Sequence, residues 1–151
     1  MIQRIQSIYL FAAAVLAILF YLFPLAVFDN STEVFEFYAC HIKSSQNTDL
    51  GFNLIPLAVL PVLSTLISLL AIFSFKNRAL QMKLGKLNYL VLFSVLIVSG
   101  IYFNKMSGIV NAAGNPGFIA IFPVISIIFV FMANRAIKKD DRLIKSADRI
   151  R

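Results

Sequence analysis

The sequence predicts an all-α integral membrane protein: four transmembrane helices arranged as two hairpins, both termini cytoplasmic, with a helical C-terminal extension. Three observations carry this reading. Of 151 residues, 60% are hydrophobic and only 14% charged, where soluble domains hold roughly 45–50% apolar residues; a free-standing globular protein so composed would expose large apolar patches. The apolar residues cluster in long uncharged runs, which excludes disorder. The basic residues gather beside alternate ends of those runs.

A hydrocarbon core of about 30 Å needs roughly 20 helical residues. Residues 5–28 form the first such run and residues 50–75 the second, both free of formal charge. The third, residues 87–104, is shorter and has to stand nearly upright or near its neighbours' shallower ends. The fourth, residues 118–134, lies inside the uncharged stretch 106–134. None alternates like a barrel strand, and backbone in lipid has to bond internally, so all four read as helices. The first run is about twice as long as a signal-peptide apolar region, and no small-x-small cleavage site follows Phe28; it reads as a retained helix. One four-helix domain thus covers residues 1–151, ending in a basic cytoplasmic tail, residues 135–151.

Orientation follows from Lys and Arg. Four spans put both termini and the middle loop on one side, which holds Arg4, Lys76, Arg78, Lys83, Lys86 and seven basic residues from position 135 onward. The other side has only Lys43 and Lys105, and carries Asp29, Glu33, Glu36 and Asp49. Twelve against two places the termini in the cytoplasm. The net charge of +7 is then a topology signal and not a mark of nucleic-acid binding.

Two segments look alike. Leu60-Pro61-Val62-Leu63-Ser64 with Asn77-Arg78-Ala79-Leu80 parallels Phe122-Pro123-Val124-Ile125-Ser126 with Asn134-Arg135-Ala136-Ile137. The pair fits either a duplicated hairpin or two outside-to-inside helices with the same end requirements.

The spans contain no Asp, Glu, Lys, Arg or His, the usual marks of proton relays and ion pathways. Their polar residues are Ser64, Thr65, Ser68, Ser94, Ser99 and Ser126, with Asn53, Asn88 and Asn104 near the ends. Ser64-x-x-x-Ser68 and Ala13-x-x-x-Ala17 have the spacing that lets helices approach closely; a hydroxyl-lined pathway is the sharper reading of the same residues. One Cys, Cys40, cannot make a dithiol pair, and one His, His41, cannot make a bis-histidine or His-Glu-x-x-His site. Cys40, His41 and Glu36 on the outer loop make a poor metal site. No nucleophile elbow or phosphate-binding glycine loop occurs. No catalytic residue, metal or cofactor is nominated.

The outer loop, residues 29–51, contains Glu33-Val34-Phe35-Glu36-Phe37-Tyr38-Ala39, rich in β-formers and suited to an extended segment near the membrane surface. In the tail, Ala136, Asp140, Leu143, Ala147 and Ile150 recur at four- and three-residue steps, with Ile137 and Ile144 alongside. They predict a helix continuing from the fourth span, with a modestly apolar stripe. Seven basic residues against Asp140, Asp141 and Asp148 leave the tail at +4. Arg135, Lys138, Lys139, Arg142, Leu143, Ala147, Arg149 and Ile150 are the candidate contacts to anionic lipid head groups or to a partner.

The opening Met1-Ile2-Gln3-Arg4-Ile5-Gln6-Ser7-Ile8-Tyr9-Leu10 and the closing Asn134-Arg135-Ala136-Ile137-Lys138-Lys139-Asp140-Asp141 with Ser146-Ala147-Asp148-Arg149-Ile150-Arg151 resemble an uncharacterised family of small four-helix membrane proteins of the Bacteroidota. The resemblance runs over the whole chain; Ser7 and Asp141 stand where Thr and Glu are common. It implies the four-helix architecture and a bacterial inner-membrane location, and it transfers no site. Two function classes are expected. One is a structural or accessory subunit, without catalysis of its own, that binds a membrane or cytoplasmic partner. The alternative is a small transporter or pore working as a homo-oligomer.

Overall fold

The computed structural model describes residues 2–30, 33–46, 51, 53–75 and 77–148. Its four helices are α1 (Ile2–Leu22), α2 (Ile55–Phe73), α3 (Arg78–Val110) and α4 (Phe122–Asp148), each long and apolar enough to cross a membrane. Four short strands accompany them: β1 (Ala26–Asn30), β2 (Glu33–Phe37), β3 (Ile42–Ser44) and β4 (Gly114–Pro116). One turn of 3-10 helix, Phe118–Ile121, leads into α4.

The helix ends depart from the expected spans for local reasons. Residues 5–28 were expected as one helix, yet α1 stops at Leu22 and residues from Ala26 onward are strand. Pro24 explains this: it offers no N–H and pushes the residue before it out of the helical region. The second span, expected from 50 to 75, narrows to Ile55–Phe73, with Pro56 in its first turn and Asn53 Oδ1 accepting from the Ile55 N–H at 3.1 Å. The third grows from 87–104 to 33 residues, about 50 Å of helix. Its flanking charges end the hydrocarbon-compatible stretch but leave the backbone ladder intact. Asn77 caps the start by accepting from the Leu80 N–H at 3.0 Å, and Asn111 closes the end in the left-handed conformation. The fourth helix runs unbroken through Asn134 to Asp148.

The helices form a ring in which α1 and α3 each pack against both α2 and α4. Directions alternate. β1 after α1 pairs with β4 after α3, so both helices end at the sheet. Near the same end the Tyr102 hydroxyl donates to the Asn53 carbonyl just before α2 at 2.6 Å. At the opposite end Arg78, the first residue of α3, meets Asp140 of α4.

The sheet corrects the all-α expectation. Its order is β3-β2-β1-β4, antiparallel throughout, with Phe28 opposite Phe35 on one side and Gly114 on the other. Alternate residues Ala26, Phe28, Phe35 and Phe37 are buried and join Phe20, Leu57, Val95 and Met106 in the main core. The sheet is a lid on one end of the bundle, built around the extended segment expected at residues 33–39. Toward the other end, Ala13, Leu92 and Val130 form one layer and Leu10, Ala71 and Ala133 the next. Outward, the bundle carries apolar side chains such as Phe11, Leu66, Phe93 and Phe131, each more than half exposed. That exterior suits lipid.

Candidate interaction surface at the basic end of α4

Two features are candidates for function: the hydroxyl-bearing interior and the basic end. The interior is a zipper between α2 and α3. Ser64 Oγ donates to Asn88 Oδ1 at 2.7 Å, and Asn88 Nδ2 donates to Ser68 Oγ at 2.8 Å. Asn88, expected near a span end, is instead 1% exposed in the bundle. Thr65, Ser94 and Ser99 donate back to carbonyls of their own helices, Pro61, Leu90 and Leu96. Beside buried Ser126, the axial cavity bounded by Ala17, Pro61, Leu92 and Pro123 is about 10 Å³, scarcely room for one water. The hydroxyls thus serve helix packing. Asn88→Ala is expected to cost about 1 kcal/mol in reversible unfolding from micelles, because Ser64 and Ser68 can turn to their own helix as Thr65 does. A loss above about 3 kcal/mol, on the scale of a buried polar group left unpaired, would show that they have no such recourse.

At the sheet end, Cys40 Sγ lies 3.0 Å from His41 Nδ1, and the His41 ring stacks on Tyr38 at 4.4 Å. The Tyr38 hydroxyl donates to Glu36 Oε2 at 3.1 Å, and that acceptor holds the phenol above its ordinary pKa. Among the described residues no three His, Cys, Asp or Glu side chains converge as a metal set.

The opposite end is cationic. Arg135, Lys138, Lys139, Arg142, Leu143 and Ser146 are all exposed and lie on one face of α4, their spacing i, i+3, i+4, i+7, i+8, i+11 being that of a single helical stripe. The opposite stripe, Val130, Ala133 and Ile137, is buried against the bundle. Asp140 lies off the cationic face and meets Arg78 Nη2 at 3.1 Å, both side chains largely shielded. Leu143 therefore shares the basic face, and does not continue a stripe with Asp140 as the tail periodicity suggested. The inward stripe that arrives from the span at Val130 and Ala133 continues through Ile137 and leaves Leu143 facing out. The side chain of Ala147 lies outside the described residues, as do Arg149 and Ile150 altogether.

Asn77-Arg78 and Asn134-Arg135 look alike in the sequence. In the structure their roles diverge: Asn77 caps a helix while Asn134 sits mid-helix against Gly85, and Arg78 turns inward while Arg135 faces out. A shared motif signals no shared job here. The contacts of Asn134 with Gly85 and of Arg78 with Asp140 had no sequence signal, since each depends on how α3 lies against α4.

The family model described as "Domain of unknown function (DUF4293)" matches residues 2–150. The chain belongs to that family. The DUF4293 match runs through all four helices, the sheet and the cationic face, so the basic end is part of the family's domain and not an appendage to it. The likeness first read from the two ends of the chain is thereby a real membership in an uncharacterised family. No curated protein matches the chain, and no solved structure does.

Proposed function

We propose that this DUF4293 protein is a non-catalytic accessory subunit of the bacterial cytoplasmic membrane that holds a partner protein at the C-terminal end of α4. The observation that carries the reading is that α4 outlasts its bundle. Beyond the Arg78–Asp140 contact, α4 continues eight more residues to Asp148, about 12 Å, past the start of α3 and the end of α2. There it presents Leu143 and Ser146 as exposed side chains. Leu143, 49% exposed beside an arginine, is the kind of apolar anchor with a polar rim that a protein contact uses.

Both termini are assigned to the cytoplasm because the end holding them carries Arg78, Lys83, Lys86 and the α4 cations, against Lys43 and Lys105 at the sheet end. The narrow axial cavity weighs against a path through a single copy. A two-part experiment tests the reading. A membrane-impermeant thiol reagent is expected to label Cys40 on intact spheroplasts; labelling only after lysis, with the thiol reactive in detergent, would invert the topology. Mild detergent extraction of wild type and of a chain ending at Arg142 is expected to recover a partner with the first alone. Equal recovery of every associated protein would remove the docking role.

A further inference from the structure

We infer that the Arg135, Lys138, Lys139 and Arg142 face of α4 is a docking site for anionic phospholipid head groups, a lipid contact distinct from the protein contact proposed beyond it. The inference rests on the membrane placement in that reading, and not on the partner.

Height and charge both support it. Leu10, Ala71, Leu84 and Ala133 lie in one layer across the four helices. Counting outward from that layer, the last large exposed apolar side chains among the described residues of the other three helices are Ile5, Phe73 and Leu80. At about 1.5 Å per residue, each falls within roughly one turn of the level of Ile137 on α4. Lys83 and Lys86, exposed on α3, stand at about the height of the layer itself, so the apolar exterior gives way to cations over the stretch between that layer and Ile137. The four cations begin within that stretch and reach about 8 Å beyond Ile137. A head-group layer is about 5–8 Å deep on each side of the hydrocarbon, so the stripe overlaps it. Arg135, the innermost, reaches the phosphates by extending its apolar stem along the helix.

The face is also unbalanced in charge. Asp140 is engaged by Arg78 away from it, and Asp141, one turn beyond Lys138, borders the stripe at one edge. Lys83 and Lys86, exposed on α3, add to the positive collar of the same end. Four exposed cations within two turns of one helix face, against a single bordering carboxylate, fit the phosphodiesters of an acidic phospholipid.

The test uses the full chain in nanodiscs of phosphatidylcholine with and without phosphatidylglycerol, reading retained lipid by native mass spectrometry. Wild type is expected to retain phosphatidylglycerol over phosphatidylcholine, and each single Gln substitution at the four positions to weaken that preference about fivefold. R135K with R142K is expected to keep it within about twofold, since a lipid surface reads charge more than fork geometry. That pair also guards against a Gln variant that merely misfolds. Inorganic phosphate and glycerol phosphate are expected not to displace the lipid; displacement by either at millimolar concentration would make this a free-phosphate site and overturn the proposal. Absence of preference in wild type, or its survival in the fourfold Gln variant, would overturn it as well. So would loss of a co-purifying protein, with lipid preference intact, in that variant. The chain ending at Arg142 separates the two readings: it is expected to lose the partner and keep the lipid.

Discussion

Phe28→Ala is expected to lower the stability of the protein by about 3–5 kcal/mol, the range for deleting a fully buried aromatic ring. Phe28 is 0% exposed at the centre of the join between sheet and bundle. Its ring meets Phe103 of α3 at 5.2 Å between centroids. It also occupies the place a side chain on Gly114 would need, its Cδ1 and Cζ lying 2.8 and 2.7 Å from where that Cβ would stand. The sheet follows the apolar span and so faces water, where burial of apolar surface keeps its full driving force; inside lipid the same deletion would cost mainly packing. Denaturant unfolding in mixed micelles measures the loss, and Cys40, two residues before β3, reports it independently through faster thiol labelling. Val34→Ala, on the exposed side of β2, serves as the control and is expected to stay within about 0.5 kcal/mol. A Phe28→Ala loss below about 1 kcal/mol would mean that the sheet is not packed onto the bundle as described.

Why the sheet was only half legible is clear from its strands. Residues 33–37 carry enough β-branched and aromatic side chains to announce an extended segment. Gly114-Asn115-Pro116 carries none, and becomes a strand only because Ala26, Val27 and Phe28 lie opposite it across most of the chain. A pairing of that range leaves no local pattern. The same holds for Asn88: periodicity puts an asparagine on a helix but cannot say that Ser64 and Ser68 face it. Conversely, the four helices were legible because lipid imposes a constraint that a count can see, about 20 residues without charge. The basic face of α4 was legible in its cations and not in its apolar member. Arg135, Lys138, Lys139 and Arg142 define their stripe by spacing alone, whereas Leu143 could be assigned to either of two stripes until Ile137 and Ala133 were seen to be buried.

Three glycines of α3 are expected to answer the same substitution in opposite ways. A Cβ at Gly100 or Gly108 meets nothing within 4 Å, so alanine there is expected to stabilise the helix by up to about 1 kcal/mol through propensity alone. A Cβ at Gly85 would collide with the side-chain amide of Asn134, whose Cγ would stand 2.6 Å away, well inside van der Waals contact. Gly85 is buried, and α4 leans on it just before leaving the bundle, one to two turns ahead of the Arg78–Asp140 contact. Gly85→Ala is accordingly expected to destabilise by about 1–3 kcal/mol, the cost of overpacking a filled contact. It should also loosen the seating of α4, so hydrogen exchange is expected to rise at residues 134–142 before it rises in α1. The double variant Gly85→Ala with Asn134→Ala removes the colliding group, and its recovery above the sum of the two single losses measures the contact directly. Strict additivity of the two would place Asn134 away from Gly85, and the close approach that aims the basic face outward would have to be sought elsewhere on α3.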